Sequence, residues 1–217
     1  MNKQRVIKQI VVEVRSRLEG ESSGHDWWHV WRVWQMARRL AREENADLFV
    51  VELAALLHDI ADWKLHGGDD TVGPRVARDV MAKFDVPEAV MNQVCKMIPA
   101  MAFKGARVKT PMPTLEGKIV QDADRLDALG AIGIARTFAY GGFKGHILYD
   151  PASKPVLHAS KEAYAAGSGS VINHFYEKLL LISKRMNTKT AKRIARDRHE
   201  FMRKYLKQFY REWEGKD

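Results

Sequence analysis

His58-Asp59 interrupts the apolar run Ala54-Ala55-Leu56-Leu57-His58-Asp59-Ile60-Ala61, putting two ionisable side chains where the pattern calls for a core helix. Burying them is costly unless something nearby compensates. A cation is the cheapest compensation, because neutral imidazole and ionised carboxylate are both ligands for divalent metals. A His-Asp dipeptide is common by chance and carries little weight alone. Partners stand elsewhere: His29 lies on the segment before, and Asp124 lies within Ile119-Val120-Gln121-Asp122-Ala123-Asp124-Arg125-Leu126-Asp127. Two nitrogens and two oxygens suit six-coordinate Mn²⁺, Fe²⁺, Co²⁺ or Ni²⁺, with Mg²⁺ also admitted. Closed zinc sites usually collect thiolates, and the one cysteine, Cys95, cannot supply them. A water on such an ion becomes a hydroxide-like nucleophile near neutral pH, while the ion polarises a phosphoryl oxygen.

The elements that must bring these residues together read as helices. Val6, Ile10, Val11, Val14 and Leu18 give residues 3–19 a helical stripe. After Gly20 to Gly24, with Ser22, Ser23 and Asp26 as candidate caps, a tryptophan-rich helix is expected over about 27–45. His29, Val33, Met36, Ala37 and Leu40 share one face of it. A third helix, 47–63, is expected to hold His58 and Asp59 mid-run, projecting about 100° apart, with Asp62 one turn beyond His58. Gly67-Gly68-Asp69-Asp70 breaks the pattern. Helices are expected over 71–84 and 87–101, Pro87 suiting a first-turn position. A polar connection, Gly105 to Pro113, precedes one long helix over 115–139. Gly141 to Gly169 reads as a lid or a long surface loop, and two helices, about 170–185 and 188–213, follow. No strand alternation and no internal repeat stand out. The fold class is all-α, a single domain over 1–217, with a metal-site core at about 22–140 and a C-terminal helical part at about 170–213.

On a helix, Asp122 and Asp124 lie about 200° apart and cannot face the same ion. Asp124 therefore competes with Asp122 and Asp127 as the fourth ligand, and Asp127, on Asp124's face, is placed to bind substrate or orient a ligand. Lys64, His66, Lys104 and Arg125 are candidates for neutralising phosphate oxygens, with surface charge as the competing reading. His25 either hydrogen-bonds phosphate or caps the helix. His174 and Lys178, one turn apart, line a far wall or the surface. Trp27, Trp31 and Trp34 are expected as core or interface packing, not as base-stacking platforms. Cys95, in an apolar segment, is expected to be inert.

The 217 residues, 46% of them hydrophobic, are enough for a real core and exclude a disordered chain. One cysteine excludes an internal disulfide framework and suits a reducing compartment. With no bilayer-length apolar stretch and no signal-like N-terminus, the expectation is a cytoplasmic protein with no membrane partner. The formal charge of +9 suits either a nucleic-acid surface or a site that draws in small polyanions. The basic residues are spread along helical segments, with one denser run from Lys184 to Arg203, and a distributed excess reads first as solvated surface.

Taken in order, Gly24-His25-Asp26-Trp27-Trp28-His29, Leu56-Leu57-His58-Asp59 and Asp122-Ala123-Asp124-Arg125-Leu126-Asp127-Ala128 resemble the HD-domain metal-dependent phosphohydrolase superfamily. Gln121 to Ala135 and Ile172 to Leu180 extend the likeness to a bacterial subfamily of HD-domain nucleotide hydrolases, over about residues 22–205. The resemblance implies an HD-domain helical bundle with additional C-terminal helices. It implies His29, His58, Asp59 and Asp124 as metal ligands, with Mn²⁺ the expected ion and Mg²⁺, Co²⁺, Ni²⁺ or Fe²⁺ the alternatives. It implies hydrolysis of (deoxy)nucleoside triphosphates to monophosphate and pyrophosphate. Asp62 falls where some members carry an acidic residue, and its spacing suits a general acid/base acting on the water or the leaving oxygen. One departure stands out: Met101-Ala102 occupies a place where related sequences carry serine or histidine. The expected partner is a nucleotide, a homo-oligomer is admitted, and nucleic acid is not expected. Two alternatives remain: an HD-domain phosphomonoesterase releasing inorganic phosphate, and a basic nucleic-acid-binding module with a structural metal.

Overall fold

The computed structural model describes residues 1–20, 26–61, 69–101, 103–160, 162–163 and 169–216. Among these residues there is no strand, and none of the helices is long and apolar enough to cross a membrane. The all-helical expectation stands. Two compact units emerge, one comprising Met1–Phe103 with Lys109–Asp124, the other Lys104–Val108 with Arg125–Asp217.

In the first unit, helix starts follow their caps. Asn2 accepts from the Arg5 amide to open α1 (Lys3–Leu18), and Asp26 accepts from the His29 amide to open α2 (Trp27–Glu43). Asp47 accepts from the Phe49 and Val50 amides to open α3 (Leu48–Leu57). Each cap satisfies amides that a helix start leaves without carbonyl partners. Glu52 is the one charged residue of α3, and eight of its ten residues are buried, as befits a helix packed by α1, α2 and α5. α4 (Val72–Ala82) and α5 (Glu88–Met97) pair across a tight turn, with Asp85 in the left-handed region. Pro87 stands at the N-cap of α5, one place before the first-turn position expected of it.

The third helix stops earlier than expected, at Leu57 and not at residue 63, so His58 and Asp59 lie at its end and not in its middle. His58 itself keeps right-handed helical angles, and its Nδ1 donates to the Ala55 carbonyl at 2.8 Å. That carbonyl belongs to the last turn, whose acceptors need partners from outside the regular ladder. The imidazole thus competes with continuation of the helix.

The expected long helix over 115–139 is two helices, α6 (Leu115–Asp127) and α7 (Gly130–Phe143). Leu129 is extended and Gly130 takes φ +73°, a left-handed value that side-chain-bearing residues rarely adopt. In the second unit, Arg198 donates to the Leu126 carbonyl at 2.5 Å, and Arg185 reaches the carbonyls of Gly105, Ala106 and Val108.

The helix expected over 170–185 is also broken. α8 (Val171–His174) leads into a π-helical stretch (Phe175–Leu179), then α9 (Leu180–Ile182) and a 3₁₀ turn (Ser183–Arg185). Glu177 in the π stretch accepts from the Val156 amide at 2.9 Å, and Asn173 donates to the Ser153 carbonyl and hydroxyl. The described part of the glycine-rich segment is therefore pinned to this helical run. α10 (Lys189–Trp213) opens on Thr188 and closes the unit, with Tyr205 stacked on Phe175 at 5.9 Å.

His199 of α10 lies 3.0 Å from the Ser183 hydroxyl, and burial, aided by Arg203 and Lys184, holds its imidazole below the ordinary histidine value. A base with a depressed folded value binds its proton more readily once unfolded. Its contribution is therefore present at neutral pH and is lost as pH falls through about 6.5 and below. His199→Gln is expected to flatten the acid side of the stability–pH curve, measured by denaturant midpoints between about pH 5 and 7.5. An unchanged slope would show that this imidazole titrates alike in both states.

Candidate metal centre

Three elements of the first unit deliver the four residues of interest. His29 is the third residue of α2, and the Asp26 carboxylate accepts its amide at 2.8 Å, so the motif Asp26-Trp27-Trp28-His29 is a cap followed by the residue it fixes. His58 and Asp59 follow α3. Asp124 lies on α6, whose preceding turn carries Gln121.

The donor atoms converge. His29 Nε2 is 3.3 Å from Asp59 Oδ2 and 3.5 Å from Asp124 Oδ1. His58 Nε2 is 3.4 Å from Asp59 Oδ2 and 3.9 Å from Asp124 Oδ1. The two rings stand edge to face, 5.4 Å between centroids. Donors sharing one ion at about 2.1 Å lie roughly 3 to 3.5 Å apart, so these separations are of the right size. His29, His58 and Asp59 form a group able to hold a metal ion.

The tautomer supports the same reading. The Ala55 carbonyl only accepts, so the proton of neutral His58 sits on Nδ1 and Nε2 keeps a bare lone pair. That Nε2 is buried and finds no hydrogen-bond partner among the described residues. A buried lone pair facing two carboxylates is poorly satisfied by protein alone and well satisfied by a cation. Both imidazoles are 1% exposed, whereas the Asp59 and Asp124 side chains are 18% and 25% exposed. The nitrogen side is sealed and the oxygen side is open to solvent.

Of the competing acids, Asp122 is fully buried and Asp127 is paired with Arg136 at 2.8 Å, while Asp124 faces the imidazoles. Arg125 is buried, and its Nη1 donates to the Arg185 carbonyl. Lys104, His174 and Lys178 are half-buried in the second unit. His25, Asp62, Lys64 and His66 lie outside the described residues, as do Ser22, Ser23 and Ala102. Trp27 is buried, but Trp31 is 40% exposed and touches the exposed Trp28 edge to face, so the packing expected of it is not core packing. Cys95 donates to the Pro74 carbonyl at 3.3 Å, and burial pushes its thiol up, away from the reactive thiolate.

The supporting roles of two residues, Gln121 and Glu52, were not legible in the sequence. Gln121, fully buried, donates through Nε2 to the Ala100 and Thr110 carbonyls at 2.7 and 3.0 Å, fastening that connection to α6 one turn before Asp124. Glu52 accepts from Trp34 Nε1 at 3.1 Å and stands 3.0 Å from Arg38 Nε, tying α3 to α2. A lone carboxylate in an otherwise apolar ten-residue helix was the available signal for Glu52.

Comparison with known proteins agrees with this geometry. The HD-domain profile matches residues 27–129, which contain all four side chains. Over 214 residues the chain is 43% identical to the protein YpgQ of Bacillus subtilis, covering 97% of this chain and 95% of that one. The chain belongs to the YpgQ-like HD-domain family. A solved structure from Lactobacillus plantarum shares 36% identity at a TM-score of 0.86, covering 99% of this chain and 100% of that one. An HD-superfamily hydrolase from Bacillus thuringiensis shares 41% identity at a TM-score of 0.77, covering 98% and 99%. YpgQ itself has been crystallised in complex with ADP; that structure shares 38% identity at a TM-score of 0.77, covering 98% and 97%. This YpgQ-like protein is accordingly an HD-superfamily hydrolase with the all-helical HD-domain fold.

Proposed function

We propose that this hydrolase acts on nucleotides, cleaving (deoxy)nucleoside triphosphates to the monophosphate and pyrophosphate. His29, His58, Asp59 and Asp124 would hold a divalent ion, Mn²⁺ in the first instance. The convergence of two imidazole nitrogens and two carboxylate oxygens within 3.3–3.9 Å carries the reading. The ADP complex of YpgQ supports a nucleotide as the ligand. When bound, such an ion supplies Lewis-acid polarisation of a phosphoryl oxygen and acidifies a water.

The protein's own groups do the rest. The Ala55 carbonyl keeps the His58 proton on Nδ1, and the Asp26 cap fixes the backbone of His29. Asp59 and Asp124 bring two negative charges that a divalent ion neutralises, and their partial exposure keeps the oxygen side open to substrate. Asp62 is assigned the proton transfer, accepting from the attacking water or donating to the leaving oxygen. His25, Lys64, His66, Lys104, Arg125 and Asp127 are assigned to substrate. Among the described phosphate-neutralising candidates Lys104 is preferred, since Arg125 is buried and already gives a donor to Arg185.

Product identity tests the proposal. The Mn²⁺-loaded protein is expected to release pyrophosphate in step with nucleoside monophosphate from a panel of ribo- and deoxyribonucleoside triphosphates. Release of inorganic phosphate from monophosphates, with no pyrophosphate, would move the assignment to a phosphomonoesterase. Asp62→Asn is expected to lower kcat by about 10²- to 10⁴-fold with metal content unchanged.

A further inference from the structure

Much of the denser basic run lies on α10, where its cations and those that follow share one surface. This helix carries nine lysines and arginines against three acids, which accounts for six of the chain's nine net positive charges. At about 100° per residue, Lys189, Lys192, Arg196, Arg203, Lys207 and Arg211 share an arc of roughly 100°. All six are exposed. The row runs about 33 Å, at 1.5 Å per residue, from one end of the helix to the other. One acid lies within the arc, Glu200, 3.5 Å from Arg203. The opposite side, with Ala191, Ala195, Met202 and Leu206, is buried.

We propose that this face of α10 docks the phosphate backbone of a nucleic-acid duplex without regard to base sequence. The row's length is close to one duplex turn, roughly 34 Å, along which phosphates recur at about one charge per 1.7 Å. A single strand is a poorer fit, because stacking platforms need exposed aromatic rings among the cations and the arc holds only the half-buried Tyr210. A membrane surface fits less well again. Helices that lie in a bilayer insert an apolar face, and here that face is already buried in the protein. A second copy of the chain is repelled by a net charge of +9. Duplex DNA and duplex RNA present the same phosphate chemistry, and the measurement separates them.

The full-length protein is titrated against labelled duplex DNA, duplex RNA, the matching single strands, and vesicles containing phosphatidylserine. Duplex affinity is expected to fall roughly a thousandfold between about 50 and 200 mM salt, the slope for five to six neutralised phosphates. Lys192→Glu/Arg196→Glu/Arg203→Glu/Lys207→Glu is expected to weaken duplex binding at least a hundredfold at the lowest salt, with nucleotide hydrolysis and melting temperature as in the parent. Lys207→Glu alone lowers the salt slope by about one and serves if the quadruple variant does not fold. Lys192→Arg/Lys207→Arg is expected to bind as the parent does. No duplex binding at low salt, binding indifferent to these reversals, or tighter binding to single strands or vesicles would each overturn the proposal.

Discussion

If the proposed centre holds a divalent ion, Asp124→Asn is expected to abolish its retention while leaving the helices intact. The substitution preserves the side chain's size and removes the charge of the oxygen that sits 3.5 Å from His29 Nε2 and 3.9 Å from His58 Nε2. Loss of a partner that merely orients a ligand already costs about 10- to 100-fold in affinity, so loss of a ligand charge should exceed a hundredfold. Metal retained after dialysis, read by elemental analysis beside circular dichroism, gives the answer without reference to turnover. His58→Ala should lose the ion too, but it also leaves the Ala55 carbonyl short of its donor, at about 1–3 kcal/mol of stability. Asp122→Asn serves as the comparison, because that carboxylate is fully buried and the imidazoles face Asp124 instead. Metal kept by Asp124→Asn and lost by Asp122→Asn would reverse the assignment.

The second large effect concerns α7, where the same substitution should act with opposite signs nine residues apart. A Cβ at Gly133 would collide with the carbonyl carbon and oxygen of Ala128, which are backbone and cannot swing aside. At Gly142, in the same helix, a Cβ meets nothing among the described residues. Replacing glycine by alanine in a helix favours folding by about 1 kcal/mol in the absence of other effects. Gly142→Ala should therefore raise the melting temperature by about 2–4 °C. Gly133→Ala must displace the α6–α7 junction, an overpacking cost of about 1–3 kcal/mol or more that outweighs the propensity gain. A fall of several degrees is expected, read by calorimetry on the two variants together. Equal shifts would mean that Ala128 and Gly133 do not approach each other as described.

Helix starts were readable in this sequence where a cap sits beside an apolar stripe, as at Asp26 before α2. Helix ends were not, because they depend on contacts that periodicity does not encode. The third helix halts where an imidazole takes a last-turn carbonyl, and an apolar run alone suggests that it continues. The break between α6 and α7 rests on a left-handed Gly130 and on the missing Cβ of Gly133, which lets the Ala128 carbonyl come close, yet both glycines sit in a stretch whose spacing fits one helix. In the π stretch Glu177 accepts from the Val156 amide, a partner 21 residues away that periodicity does not reveal. At the site, His29, His58, Asp59 and Asp124 stood out because charged or ligating residues are rare on apolar faces, and the structure brings them together. Gln121 remained hidden because its partners are backbone carbonyls, which look the same in every sequence.

Because α3 stops at Leu57, its carboxyl end falls beside the two donor side chains that follow it. The aligned peptide dipoles of a helix leave about half a negative charge at that end. A positive ion held there gains about 0.3–1 kcal/mol from the backbone alone, and an anion arriving without one meets repulsion of similar size. For the divalent ion and polyphosphate substrate proposed above, the early termination would favour the cation at this end and disfavour an anion that arrives before it.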